Sequence, residues 1–147
     1  LAEYARDEIG HHDWILNDIA AAGGDAEAVR ASTPEHNTEL LVAYAYDTIM
    51  RRNPVGLFGM VYVLEGTSIR LATRVAQAVQ NALGLPSNAF TYLKSHGALD
   101  IGHMGHFERL MNRLDFEIDR AAVEHCAKVC FRLYTNVLTG IESRAAA

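Results

Sequence analysis

The sequence predicts an all-α helical bundle, and three observations carry that expectation. Apolar residues recur at helical spacing almost end to end, helix-start and helix-stop residues punctuate the pattern, and no stretch alternates as a strand does. Half of the 147 residues are hydrophobic and 21% are charged, the balance of one globular domain over residues 1–147. The first helix is expected from about Leu1 to Ala22, with Leu1, Tyr4, Ala5, Ile15 and Ile19 on one face, and Gly23–Gly24 ends it. Asp25 to Arg30 adds one or two turns. Ser32-Thr33-Pro34-Glu35 reads as a helix start, a capping hydroxyl with Pro at the first helical position, and that second helix lasts to about Arg52. The third, from roughly Val55 to Leu83, is apolar on most sides and is therefore expected to be central. Leu85-Pro86-Ser87 separates it from a fourth helical region, about Asn88 to Arg113, which Gly97, Gly102 and Gly105 are expected to interrupt. A last helix runs from about Phe116 to Arg144. The chain opens at Leu1, without Met and already in a helical pattern, so N-terminal helices of a longer natural domain are expected to precede it.

Composition narrows the function. Thirteen Lys and Arg against eighteen Asp and Glu leave a net charge of −5, and no basic cluster offers a face for nucleic acid. No apolar run is expected to reach membrane-spanning length, and no signal-peptide pattern occurs, so no membrane partner is expected. Cys126 and Cys130, one helical turn apart, are too few for a disulfide framework, which makes a reducing cytoplasm the expected compartment. Both thiols read as core residues rather than catalytic ones, and Trp14, Tyr44, Tyr46 and Tyr62 read as packing residues.

Three segments carry chemistry. His96, Asp100 and His103 are spaced by four and then three, so they project from one helical face, together with the apolar Tyr92, Leu99, Phe107 and Leu110. Two imidazoles and a carboxylate turned toward a core are costly without a counter-charge. A divalent metal supplies it, and two His with one carboxylate is a set that suits non-heme iron. The competing reading is a pair of solvated or hydrogen-bonded histidines beside a capping Asp. Glu65 lies in the most apolar helix with Val61, Tyr62, Ser68 and Ile69 one turn away, none of them cationic. A buried carboxylate needs a partner or must neutralise, and either a metal or a distant Arg or Lys meets that need. In the first helix, Glu8 sits at the centre of the apolar stripe with His11 and His12 on either side of it. Glu-x-x-His is the pair that di-iron carboxylate bundles use, although the spacing admits His12, at i+4, as well.

With these residues in this order, the chain resembles the heme-oxygenase-like di-iron oxidases and oxygenases. That family places Glu-x-x-His on one helix, a Glu on a long central helix, and then His-x-x-x-Asp-x-x-His. The resemblance spans about Glu8 to Leu110 and implies a heme-oxygenase-like helical bundle with Glu8, His11, Glu65, His96, Asp100 and His103 as metal ligands. It implies Glu8/His11 and Asp100/His103 at opposite ends of a metal pair, Glu65 as the bridging carboxylate, and His96 completing either ion. The implied cofactor is Fe(II), two ions, with O2 as co-substrate. The implied activity is oxidation of a small organic substrate by desaturation, C–C cleavage or N-oxygenation, with a homodimer as one assembly. His12 and His106 are further candidates to orient ligands. Two alternatives remain: a heme-degrading or cofactor-independent oxidase of the same fold, or a non-enzymatic helical binding protein.

Overall fold

The computed structural model describes Arg6 and residues 8–145, the side chains of residues 98, 99 and 142–145 apart. Every regular element among the described residues is helical. The elements are α1 (His11–Ala21), α2 (Ala26–Arg30), α3 (His36–Arg51), a 3₁₀ turn (Pro54–Leu57), α4 (Phe58–Leu83), a second 3₁₀ turn (Ser87–Phe90), α5 (Thr91–Met111) and α6 (Glu117–Ala145). The chain divides into two compact units, with α4 and α5 each contributing to both. One contains Leu1–Ser32 with Ser68–Ile101, the other Thr33–Thr67 with Gly102–Ala147.

In the first unit a turn interrupts the expected opening helix. Its stretch over residues 1–5 lies outside the described residues, and residues 8–10 form a turn. Gly10 has φ +91°, a left-handed conformation that a side chain disfavours, and α1 begins immediately after it. Asp25 caps α2 by accepting from the Ala28 amide at 2.9 Å. Ser32, expected to open the next helix, instead donates its hydroxyl to the Val29 carbonyl at 2.7 Å and closes α2. Ala76, Ala89 and Phe90 form the buried cluster, with Ala21, Leu85 and Leu93 packed against it.

In the second unit α3 is capped by Glu35, whose carboxylate accepts from the Asn37 amide at 2.8 Å, so the cap falls after Pro34 rather than before it. Leu41, Val63, Cys126 and Cys130 are its buried core, with Tyr44, Met60, Leu133 and Tyr134 around them. Gly59 allows α4 and α6 to touch backbone to backbone, for a Cβ there would lie 2.3 Å from the Val123 carbonyl oxygen. Asn53 accepts from the Val55 amide and donates to Asp119 at 2.6 Å, which fixes the entry into α4. The thiols of Cys126 and Cys130 lie 3.7 Å apart within this core. The hydrogen bond between them draws Cys126 down to about 7 and, with burial, pushes Cys130 up.

Three expectations need correction. α5 runs unbroken through Gly97, Gly102 and Gly105, because tertiary packing outweighs a helix penalty of about 1 kcal/mol per glycine. α4 is not buried all round, since Leu71, Val75, Val79 and Leu83 form an exposed row at four-residue spacing. Pro54–Leu83 is also long and apolar enough to cross a membrane by length and composition, with an 18-residue window of mean hydropathy 1.3. Glu65, Arg70 and Arg74 within it would each cost free energy in hydrocarbon.

Candidate metal centre

Glu8 precedes the left-handed Gly10, and the His11 amide donates back to the Glu8 carbonyl at 3.3 Å. The Glu-x-x-His pair is therefore formed by a turn entering a helix, not by helix periodicity alone. This geometry separates the two neighbouring histidines. His11 Nδ1 lies 2.7 Å from Glu8 Oε2, with the His11 side chain 14% exposed. His12 is 71% exposed, beside Asp13. Of the two neighbours, His11 is the inward imidazole and His12 the solvent-facing one.

His96 joins them from α5. Its residue exposure is 7%, its Nε2 is 3.1 Å from His11 Nδ1, and it is 3.9 Å from Glu8 Oε2. The other ring nitrogen, Nδ1, is 3.0 Å from the Tyr92 carbonyl. A carbonyl only accepts, so Nδ1 carries a proton, and Nε2 is the ring nitrogen turned toward Glu8 and His11. Aromatic rings hold this orientation: Tyr92 lies over His96 at 4.0 Å between centroids, and Trp14 stands 4.3 Å from His11 and 5.7 Å from His96.

The three donor atoms lie within 4.8 Å of one another. A first-row divalent ion with bonds of about 2.1 Å sets its ligand atoms about 3 Å apart, so these separations fit one. Two imidazoles and one carboxylate on adjacent positions are also the donor chemistry of non-heme Fe(II). The resemblance left His96 to complete either ion; in space it stands with Glu8 and His11.

In the second unit, His103 Nδ1 lies 3.5 Å from Glu65 Oε1, with side chains 21% and 12% exposed. The carboxylate in the apolar helix therefore has an imidazole beside it. Phe107, 7% exposed, packs against Phe58 and Tyr62 on the same helices. Asp100 is 2% exposed and stands on the α5 face that carries His96 and His103, by their spacing of four and three. Leu99, expected on that face, has a side chain outside the described ones.

Sequence reasoning missed Asp18. It is 9% exposed and accepts from the Thr91 amide at 3.0 Å, the Tyr92 amide at 2.8 Å and the Thr91 hydroxyl. Its seven-residue offset from His11 was the one available signal, since i and i+7 share a helix face. Trp14 was read as packing, and it does pack, but against the two histidines.

Among curated proteins none matches the chain. It is similar to a solved structure, a domain of unknown function with a heme oxygenase-like fold from Shewanella denitrificans OS217, at a TM-score of 0.89 and 26% identity. That match covers 98% of this chain and 62% of the other, so the chain spans less than two thirds of its neighbour's length. The family model described as iron-containing redox enzyme matches residues 1–135. With a heme-oxygenase-like fold and a two-histidine, one-carboxylate cluster in place, the chain belongs to the iron-containing redox enzyme family.

Proposed function

We propose that this chain is the ligand-bearing part of a non-heme di-iron oxidase or oxygenase acting on a small organic substrate. The observation that carries the reading is the convergence of Glu8, His11 and His96, two residues from the N-terminal segment and one from α5, on one point. These three would hold one iron. Glu65 and His103 would hold another, and Asp100 is the further carboxylate on the ligand-bearing face of α5. Iron, when bound, supplies O2 activation and redox equivalents, and the protein supplies orientation and electrostatics.

The protein's own contributions follow from the contacts. Tyr92 retains the Nδ1 proton of His96, which leaves Nε2 as the ligating atom. Glu8 brings a carboxylate to a cluster otherwise built of imidazoles, a donor set that favours a divalent cation. Trp14 and Tyr92 wall the imidazoles and limit water at His96. Desaturation, C–C cleavage and N-oxygenation are the reaction classes this reading contains.

Iron analysis after expression in iron-replete medium, with an anaerobic Fe(II) titration and an optical spectrum, tests the reading. The expected result is two irons per chain and no Soret band. A Soret band, or failure to bind Fe(II), would overturn it.

A further inference from the structure

Asp18 is a buried carboxylate outside the ligand set, and its position on α1 is telling. His11, Trp14 and Asp18 are spaced by three and four, so they form one row along the helix. All three meet the first two turns of α5: Asp18 meets Thr91 and Tyr92, and His11 and Trp14 meet His96 one turn on. A helix leaves its first amides without internal partners, and its N-terminus carries partial positive charge. Here those amides are capped from another helix, 73 residues away in sequence, by the helix that presents His11.

Tyr92 links the cap to the ligand. Its amide donates to Asp18, while its carbonyl accepts from His96 Nδ1 and its ring lies against the His96 ring. We propose that Asp18 is a positioning residue for the metal centre: by clamping the first turn of α5 onto α1 through Thr91 and Tyr92, it sets the distance between His96 Nε2 and His11 Nδ1 and fixes the His96 tautomer. A carboxylate suits this task because each of its oxygens accepts a backbone N–H, and charge-assisted bonds of this kind are short and strong. An asparagine offers one accepting oxygen and turns an NH2 toward an amide. The assignment rests on Glu8, His11 and His96 forming a metal centre, as proposed above.

The test uses the chain with Asp18→Ala, Asp18→Asn and, as a control, Asp25→Ala, which removes the α2 cap without touching α5. Two readouts are taken: anaerobic Co(II) affinity with its visible spectrum, and the 15N–1H imidazole correlations of the metal-free protein. Loss of such an outer partner lowers metal affinity by about 10–100-fold. Asp18→Ala is expected to show a loss in that range, with the His96 ring passing from the Nδ1–H form to a tautomer mixture. Asp18→Asn is expected to fall between Ala and wild type, and Asp25→Ala to match wild type in both. If wild type binds Co(II) and the Asp18 variants keep its affinity, spectrum and tautomer, the assignment of Asp18 is wrong. If wild type binds no Co(II), the metal reading fails, and the tautomer readout alone then decides whether Asp18 positions His96. Should Asp18→Ala not fold, Asp18→Asn decides on the same two measurements.

Discussion

At the residue scale the consequential pair is His11 and His12, adjacent in sequence and opposite in environment. A ligand imidazole and a solvent-facing one respond differently to removal. His11→Ala is expected to weaken Fe(II) binding by at least about 100-fold, and His12→Ala by less than about threefold. Trp14 gives a direct readout, for it is the only tryptophan in the chain and stands 4.3 Å from the His11 ring. Open-shell ions quench nearby indole emission, so anaerobic Fe(II) or Co(II) titration should quench intrinsic fluorescence. Quenching that survives in His96→Ala would place the ion elsewhere. Glu8 and His11 were legible in sequence because their order and spacing are local. Asp18 was not, since an Asp inside a helix reads as solvated until its partners, Thr91 and Tyr92, are in place.

At the element scale, glycine has two meanings in these helices, and the sequence does not separate them. Gly59 lies where α4 meets the backbone of α6, and a Cβ would strike the Val123 oxygen and the Ala127 nitrogen, neither able to rotate away. Gly102 has nothing within 4 Å of the place a Cβ would take. Gly59→Ala is therefore expected to destabilise by about 3 kcal/mol through overpacking. Gly102→Ala should stabilise α5 by about 0.5–1 kcal/mol through helix propensity. Urea melts of both variants check this, and equal effects would refute the distinction. The helices themselves were legible because apolar spacing is a local signal. The expected breaks in α5 were not borne out, because a propensity of this size is weak beside tertiary packing. Gly10 eluded the reading for a related reason: a left-handed residue inside an apparently continuous apolar pattern leaves the pattern intact.

At the scale of the whole molecule, metal binding and folding are linked, since the unfolded chain does not hold Glu8, His11 and His96 together. Free ligand at one hundred times its dissociation constant stabilises a folded state by about 2.7 kcal/mol. For a chain of 147 residues each kcal/mol moves the midpoint by about 2–4 °C, so saturating Fe(II) should raise Tm by about 5–10 °C. Differential scanning calorimetry under argon measures it, with His96→Ala as the variant in which the shift should largely vanish. Hydrogen exchange should locate the gain in residues 93–104 of α5, the stretch that carries three proposed ligands. Protection there that is high without metal and unchanged by it would mean that the segment needs no ion to order.

Eighty-five residues separate His11 from His96, whose ring nitrogens end 3.1 Å apart. On a ribosome, the segment with Glu8 and His11 emerges before His96 and offers an ion only two of the three donors, a weak and exchangeable grip. The third donor arrives after α4 and the first turn of α5 have been made, when the chain between the two histidines has enough packing to offset the entropy of closing so long a loop. If iron binds at the proposed centre, its capture is thereby postponed until His96 has been made and packed, and a chain stalled before that point would lack the third donor.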